Sequence, residues 1–423
     1  MRSNALFIRI YYSFMIQNMK ILRAFKYRLK VDEEQQSAFW KQAGACRFVW
    51  NLFLKRQQYR LNRGHYVENY ATMCLHLTQV KKHFTFLKEV DSTVLQQTLK
   101  DLDKAYKDAF DKTHPYKRMP VTKKRSKCNN GFRYTGRFKV EGRHVYLPKL
   151  GNFGFFKSRD IIGKIKNTTV THKAGHWYVS FQTEYERAER PHHSKSMVGV
   201  DLGVKRLATL SNGFYVNGLS ALKTHSKTLA KLQRKLAKKV RFSNNWKKLK
   251  KKIARLHSKI SAVRHDFLHK FSSYLSKNHA IIVFEDLKVK NMIQSSKGTL
   301  GEPSKQVKQK SGLNKSILEQ GWGMLMDFCK YKQQWKNGMV LKVDPKGTSQ
   351  TCSCCGHKSK ANRLSQSEFV CEKCGLTINA DDNASLNILA SGHGVLACGN
   401  PNSLEFCKQE STGFVRSQPL LIK

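Results

Sequence analysis

The residues that most clearly suggest chemistry are four cysteines with the spacing C-x2-C-x15-C-x2-C: Cys352, Cys355, Cys371 and Cys374. A CxxC pair places two sulfurs on one tight turn, and tetrahedral Zn²⁺ takes four thiolates. The spacing therefore predicts a bound zinc ion. Because four protein ligands leave no open position, this site is expected to be structural. Cys354 and His357 lie inside the first knuckle and are expected to be bystanders, although His357 could substitute as a ligand.

A second group of candidate ligands consists of acids that follow apolar segments. Asp201 follows the apolar residues 197–200, Glu285 ends the apolar run of HAIIVFE, and Asp381 and Asp382 lie at a predicted helix start. One acid in such a place is more often a helix cap or an ion-pair partner. Three acids from separate segments supply the hard oxygen ligands that two Mg²⁺ ions need for in-line phosphoryl displacement.

The charge of the chain indicates what these acids would work on. The 423 residues include 78 Lys and Arg but only 29 Asp and Glu, a formal net charge of +49. A surface of this kind repels itself unless a polyanion neutralises it, so nucleic acid is the expected partner. Hydrophobic residues make up 40%, which argues against disorder, and the length fits two to four modules.

Other sequence features limit the cellular setting. Eleven cysteines with only one metal-binding pattern indicate a reducing compartment and not a disulfide framework. No run of 18 apolar residues exists, so no membrane span is predicted. Residues 1–18 are interpreted as an extension ahead of a more natural start at Met19; a signal peptide is the weaker interpretation.

The elements that must position these residues can be predicted in outline. Residues 21–30 partly alternate apolar and basic side chains, which predicts a strand with one solvent-exposed face. Asp32 with Gln35 resembles a capping box before a helical region at 41–112. After a basic linker at 116–131, short segments separated by turn residues predict an antiparallel β module. These segments are FRYTGRFKV, RHVYLPKL, GKIKNTTVTHK and HWYVSFQTEYE.

A third region stands out because no Asp or Glu occurs from Leu202 to His265. Apolar residues at helical spacing on both sides of the turn at 243–245 predict an αα-hairpin whose other faces are Lys and Arg. Solvated faces normally mix signs, so this surface favours nucleic acid. Residues 294–312 read as a loop, followed by one helix through LNKSILEQGWGMLMDFCKYKQQW and the strand MVLKV. The apolar seam is Leu229, Leu232, Leu236, Val240, Leu249, Ile253, Leu256, Ile260, Val263 and Phe267.

Together these residues resemble TnpB, the transposon-encoded RNA-guided DNA nuclease of small insertion sequences and a relative of compact type V CRISPR effectors. The resemblance covers about residues 19–400. The motifs that carry it are KYRLKVDEEQQ, RFVWN, VGVDLGVKRLATLSNG, VFEDLKVKNM, KSGLNKSILEQGWG, VDPKGTSQTCSCCG, CEKCG and NADDNASLNIL.

The resemblance implies a RuvC-like nuclease domain of the ribonuclease H type, with a zinc ribbon inserted before its last acid. It implies that Asp201, Glu285 and Asp381 bind the catalytic magnesium; Asp381 is preferred to Asp382 because the family motif reads D-x-N-A. Asp286 is expected to face the other way. The segment departs from the family pattern at three positions. Asn379 stands where an acid is frequent, Ala380 where Arg is frequent and Ser385 where Ala is frequent.

The resemblance also implies an α/β multidomain architecture, with guide RNA and target DNA as partners and a cytoplasmic, nucleoid-associated location. An antiparallel β wedge domain and a helical recognition lobe would hold the guide, and the basic hairpin would line the guide–target channel. The expected divisions are an extension (1–18), wedge strand (19–40), recognition lobe (41–115), β-rich wedge (116–190), nuclease (191–350) with its basic hairpin (222–279), zinc ribbon (351–378), last nuclease segment (379–392) and tail (393–423).

Two other functions remain open on the residues. A non-cleaving nucleic-acid binder that regulates transposition would explain the charge, and loss of one acid would favour it. All three acids are present. A transposase performing strand transfer would also use acid-bound metals, but the guide-binding architecture would have no role.

Overall fold

The computed structural model describes residues 18–113, 116–126, 130–188, 190–219, 221–296, 306–399 and 418–419. It divides the chain after Ala188 into two compact units. The expected N-terminal extension lies outside the described residues, apart from its last position. No helix within the described ranges is both long enough and apolar enough to cross a bilayer.

The unit that ends at Ala188 begins with strand β1 (Asn18–Arg28) and then turns helical. Its helices are α1 (Glu33–Asn62), α2 (Tyr70–His83), a 3-10 turn (Thr85–Lys88) and α3 (Ser92–Phe110). Its remaining strands are β2 (Gly131–Tyr134), β3 (Lys139–Glu141), β4 (His144–Leu147), β5 (Gly151–Gly154), β6 (Lys164–Lys173) and β7 (His176–Ala188).

Local signals explain where α1 begins. Asp32 and Gln35 form the predicted capping box, in which each side chain bonds the other's backbone amide. The helix therefore starts at Glu33, directly after the predicted cap, whereas the helical region itself was expected to begin only at residue 41.

The strands of this unit form two sheets, ordered β1-β7-β6-β2 and β3-β4-β5. All pairs are antiparallel, as predicted, and β1 pairs with β7 along its whole length, from Asn18 opposite Ala188 to Arg28 opposite Tyr178. Alternate residues of β7 are buried, so one face of the sheet joins the helices in an aromatic core that includes Phe39, Trp177 and Phe181.

The other described unit contains a six-stranded sheet and the cysteine-rich segment. Its elements are β8 (Met197–Asp201), β9 (Arg206–Leu210), β10 (Phe214–Asn217), α4 (Ala221–Ala237), α5 (Asn244–Asn278), β11 (Ile281–Glu285), α6 (Val289–Met292), α7 (Val307–Gln320), α8 (Trp322–Gln334), β12 (Met339–Val343), β13 (Glu368–Val370), β14 (Thr377–Asn379), α9 (Ala380–Gly399) and β15 (Gln418–Pro419).

The six-stranded sheet has the order β12-β11-β8-β9-β10-β15. Strands β8, β9 and β10 form an antiparallel meander, whereas β8, β11 and β12 are parallel neighbours. Parallel neighbours end at the same edge of a sheet, so the carboxyl ends of β8 and β11 lie side by side. Buried apolar residues cover both faces of these strands, which is typical of parallel sheet.

The predicted helical hairpin is confirmed as α4 and α5. Its turn lies at residues 238–243 and not at 243–245, and Val240, which was expected in the apolar seam, is 80% exposed in that turn. Ser243 caps α5 by accepting a hydrogen bond from the backbone N–H of Trp246. The helix then runs for 35 residues to Asn278 and leads directly into β11.

Two expectations about the segment after β11 were wrong. A helix begins at Val307, inside the stretch 294–312 that was expected to be a loop. The single helix predicted after it is two helices, because Gly321 adopts a left-handed conformation with φ of 70° between α7 and α8.

Candidate metal centres

The four cysteines of the C-x2-C-x15-C-x2-C pattern come together in space. Their sulfur atoms all lie within 4.8 Å of one another, and Cys352 with Cys374 and Cys355 with Cys371 have Sγ–Sγ distances of 3.6 Å. Thiolates bound tetrahedrally at about 2.3 Å from zinc would be about 3.8 Å apart. The arrangement is therefore compatible with a zinc ribbon. It is the only such group of His, Cys, Asp or Glu among the described residues.

Strand pairing places the first two candidate acids next to each other. Val200 of β8 is the register partner of Phe284 of β11, so Asp201 and Glu285 are the next residues on adjacent parallel strands. Side chains alternate along a strand, so both acids point away from the face on which Val200 and Phe284 are buried. They face the side of the sheet that packs against helix α9.

Helix α9 approaches that face closely because glycines remove side chains at the contact. A Cβ atom on Gly199 of β8 would lie 2.6 Å from the backbone nitrogen of Leu389, and one on Gly392 would lie 2.7 Å from a methyl carbon of Val283. Real side chains do not pack this tightly, so the glycines set the position of the helix. Asp381 lies in the first turn of α9.

The electrostatics show that the three carboxylates interact. Burial raises the pKa of Asp201 to about 7, and the negative charges of Glu285 and then Asp381 contribute to this rise, while Arg363 opposes it. Burial also raises the pKa of Glu285, which is 9% exposed. A cation bound beside Asp201 would stabilise its charged form against both burial and the neighbouring negative charges.

The neighbouring acids have different partners. Asp382 lies 3.8 Å from a guanidinium nitrogen of Arg206. Asp286 forms ion pairs with Lys288 and Lys342, which lower its pKa. Both of these acids thus have a cationic partner, whereas the ion pairs recorded among the described residues include none for Asp201, Glu285 or Asp381.

The start of α9 is defined by a residue that departs from the family pattern. The side-chain oxygen of Asn379 accepts a hydrogen bond from the backbone N–H of Asp381 at 3.0 Å. Asparagine can cap a helix in this way as an acid can, so this departure keeps the local geometry. Ser385 bonds back to the carbonyl of Asp382 and is fully buried.

A short segment before the first cysteine connects the two candidate centres. The hydroxyl of Thr348 donates a hydrogen bond to Glu285 Oε1 at 2.5 Å. Two buried asparagines of α9 hold the same segment: Asn383 Nδ2 donates to the carbonyl of Thr351 at 2.8 Å, and Asn387 Nδ2 to the carbonyl of Thr348 at 2.8 Å. Asn383 also accepts from the backbone N–H of Ser353, next to the candidate ligand Cys352.

Sequence reasoning missed two residues at this site. Thr348, which bonds the carboxylate of Glu285, is buried, and Arg363, which lies between the two cysteine pairs in sequence, lowers the pKa of Asp201. A polar residue shortly before a cysteine pair is too common to single out. A lone arginine in so basic a chain is equally inconspicuous, and only the fold brings either one to the acids.

Three family models match separate parts of the chain. A family model described as "Probable transposase", of the IS605 OrfB type, matches residues 180–296. A model described as "Cas12f1-like, TNB domain" matches residues 322–388, and one described as "Helix-turn-helix domain" matches residues 19–65. In this structure residues 19–65 form strand β1 and the single helix α1.

Relatives match along nearly the whole chain. A protein of Escherichia coli K12 named "Putative RNA-guided DNA endonuclease InsQ" is 47% identical over 94% of this chain and 100% of its own length. The chain belongs to the TnpB (IS605 OrfB) family. A second TnpB-type relative, from Streptomyces pristinaespiralis and also named as an RNA-guided DNA endonuclease, is 32% identical over 91% of the chain and 92% of its own length.

The fold is also similar to a solved structure. The effector in a cryo-EM structure described as a Cas12f1–sgRNA–target DNA complex aligns with 90% of this TnpB-family chain and 99% of its own, with a TM-score of 0.52. The two chains share 15% sequence identity, so the likeness concerns the fold alone.

Proposed function

We propose that this protein is an RNA-guided DNA endonuclease that hydrolyses phosphodiester bonds with metal ions held by Asp201, Glu285 and Asp381. The observation that carries the proposal is geometric: Asp201 and Glu285 lie at the ends of adjacent parallel strands, on the face of the sheet that packs against α9, and the first turn of α9 carries Asp381. The relatives named above support the reaction class, because they match along the chain's length.

The chemistry that fits these donors is that of Mg²⁺, a hard cation that prefers carboxylate oxygens. Asp201, Glu285 and Asp381 would hold it, and when bound it would supply activation of water and stabilisation of the leaving oxygen. The protein's part is to hold the carboxylates in place: β8 and β11 fix Asp201 and Glu285, and the glycine contacts of α9 fix Asp381. The thiol cluster would hold zinc and would not react, because all its ligands come from the protein.

The sheet supports a RuvC-like domain of the ribonuclease H type. Its antiparallel meander β8-β9-β10 continues into the parallel strands β11 and β12 on the other side of β8, which places two acids at adjacent strand ends. The zinc ribbon is then inserted between β12 and α9. In the other unit, the β sheets would form the wedge domain, and helices α1 to α3 the recognition lobe.

The basic hairpin α4–α5 is proposed to line a guide–target duplex. Helix α5 is about 50 Å long at 1.5 Å per residue, and its lysines are exposed at successive turns. Its five clustered lysines are expected to contact phosphates, which carry no sequence information. These are Lys247, Lys248, Lys250, Lys251 and Lys252.

The experiment that tests the function uses RNA that co-purifies with the protein. The RNA is sequenced, its guide portion identified, and a plasmid bearing the complementary sequence is offered to the complex with Mg²⁺. Cleavage that requires the RNA, the matched sequence and the metal supports the proposal. Binding without cleavage favours the regulator of transposition, and RNA-independent joining of DNA ends favours a strand-transfer enzyme.

A further inference from the structure

The turn between α4 and α5 carries exposed apolar side chains that the proposed function does not use. Val240 is 80% exposed and Phe242 is 63% exposed, and Trp246 is partly exposed. The Phe242 and Trp246 rings lie 5.5 Å apart between centroids. Single exposed apolar residues are common on protein surfaces, but a contacting pair of rings at the tip of a long hairpin is not explained by packing.

The backbone conformation at Phe242 is energetically unfavourable for a phenylalanine. Its φ is 69°, in the left-handed region where a side chain costs about 1–2 kcal/mol and where glycine or asparagine is favoured. Phe242 is 63% exposed, and the ring that it contacts, that of Trp246, is itself partly exposed. The pair therefore leaves aromatic surface open to a molecule outside this fold.

The charges around the rings indicate the chemical class of the molecule that would bind there. The Arg241 guanidinium lies 5.0 Å from the Phe242 ring centroid, and the Lys250 ammonium lies 4.8 Å from the Trp246 ring. No acid occurs between Leu202 and His265, so no carboxylate of the hairpin near the rings repels an anion. Aromatic rings among cations are how proteins bind nucleic acid without sequence preference, with bases on rings and phosphates on cations. A membrane-binding helix would need a broad apolar face, which three side chains do not supply.

We propose that Phe242 and Trp246 form a stacking site for an unpaired or terminal nucleobase, with the adjoining phosphates on the neighbouring cations. This inference rests on the proposed binding of nucleic acid along the hairpin. The site lies at the end of α5 remote from β11, about 50 Å or about 15 base pairs of duplex away. The tip would thus contact a part of the nucleic acid far from the bond that is cut.

The test measures binding of the full-length protein to a fluorescent single-stranded oligothymidylate as a function of salt. The Phe242→Ala/Trp246→Ala double variant is expected to bind about 5- to 150-fold more weakly for each base that no longer stacks. Its salt dependence should stay unchanged, because no cation is removed. Val240→Ala, which alters an exposed apolar residue of the same turn without a ring, is the matched control and should bind like the parent.

A second variant separates binding from folding. Phe242→Asn removes the ring but suits the left-handed backbone, so its melting temperature should equal or exceed that of the parent while its affinity falls. Unchanged affinity in this variant and in the double variant would overturn the stacking site. The stacking site would also be overturned if these variants bound the oligonucleotide normally but no longer bound anionic phospholipid vesicles. That pair of results would assign the tip to a membrane surface.

The five-lysine variant distinguishes failure of this inference from failure of the proposed hairpin role. Changing these lysines to Gln should lower affinity and flatten the salt dependence by about 0.7 log units for each phosphate that is no longer neutralised. If the lysine variant weakens and the ring variants do not, only the stacking site is wrong. If neither set changes binding, the hairpin does not contact nucleic acid, and both proposals for it are wrong.

Discussion

The thiol cluster and the acid cluster lie in the same unit but are assembled in different ways. The four sulfurs come from residues 352–374, a single short segment, and already lie within 4.8 Å of one another. The three acids come from segments that span residues 201–381. Their charges add to the effect of burial, which raises the pKa of Asp201 to about 7, so the fold brings together groups that repel each other.

This difference shows what each centre contributes. A local set of four soft ligands closes around its metal and stabilises the segment that carries it. In the proposed function, three carboxylates held by two strands and a helix would leave coordination positions of their metal open for water and substrate oxygens. The centres are nevertheless linked, because the Thr348–Ser353 segment contacts both Glu285 and the buried asparagines of α9.

The largest effect should come from removing an acid. Asp201→Ala, Glu285→Ala and Asp381→Ala should each reduce metal-dependent DNA cleavage by more than about 1,000-fold, because each variant lacks a ligand for the reacting centre. RNA binding should persist. Cleavage by the purified complexes is the measurement.

The neighbouring acid provides the control for this comparison. Asp286→Ala removes a carboxylate that is paired with Lys288 and Lys342 and should leave cleavage nearly unchanged. If Asp382→Ala abolishes cleavage and Asp381→Ala does not, the assignment of the third acid is wrong by one residue.

The next effect concerns the thiols. Cys371→Ser should release about one zinc ion per chain and destabilise residues 351–392, because binding of structural zinc contributes to folding. Zinc content by elemental analysis and protease sensitivity of this region are the readouts. Cys354→Ser, which alters an exposed cysteine of the same knuckle outside the four, should retain zinc; equal zinc contents in the two variants would remove the basis for the ribbon.

A smaller effect is expected from pH in the absence of magnesium. The folded-state pKa of Asp201 is about 7 against an ordinary value of 3.8. The folded state therefore holds a proton that the unfolded chain has released, and stability falls as pH rises from about 4 to about 7. At about 1.4 kcal/mol per pKa unit, the loss amounts to at most about 4 kcal/mol.

Thermal unfolding of zinc-loaded protein at pH 5 and pH 8 measures the part of this loss that falls above pH 5, about 3 kcal/mol. The melting temperature of the parent should fall by up to about 10 °C more than that of Asp201→Asn, which has no proton to release. Added Mg²⁺ should reduce the difference by binding the charged carboxylates. Identical pH dependence in the two proteins would show that burial and the neighbouring charges do not hold Asp201 protonated.

The smallest effect tests the link between the centres. Thr348→Val removes the hydroxyl that bonds Glu285, which should raise the pKa of Glu285 further and weaken Mn²⁺ binding at the acids by about 10- to 100-fold. Zinc content should not change. Thr351→Val is the matched control, because its hydroxyl bonds the carbonyl of Gly347 and no carboxylate; equal Mn²⁺ affinities in the two variants would contradict a positioning role for Thr348.

The contrast between ligands from one short segment and ligands from distant segments also explains how much could be predicted from the sequence. The cysteine spacing was sufficient because its ligands are local, and the hairpin followed from its apolar seam. The antiparallel β module and the place of Glu285 at a strand end were also readable. These predictions rest on periodicity and spacing, which act over a few residues.

The rest depends on contacts between distant segments. The register of β8 with β11, the close approach of α9 at Gly199 and the bond from Thr348 to Glu285 are set by packing and leave no local pattern. The start of α7 at Val307 was missed because the segment is rich in polar residues that suit a loop equally well. Its break from α8 depends on the left-handed backbone of one glycine, Gly321.

The order of the acids along the chain has a consequence for synthesis. Asp381 follows Glu285 by 96 residues, with the cysteine segment between them. At roughly 5–20 residues per second, translation supplies the third acid about 5–20 s after the second. If the proposed function is correct, the ribosome-bound intermediate would already carry the basic hairpin that binds nucleic acid but would lack the third metal ligand. Nucleic acid would then be loaded during translation before the chain is able to cut it.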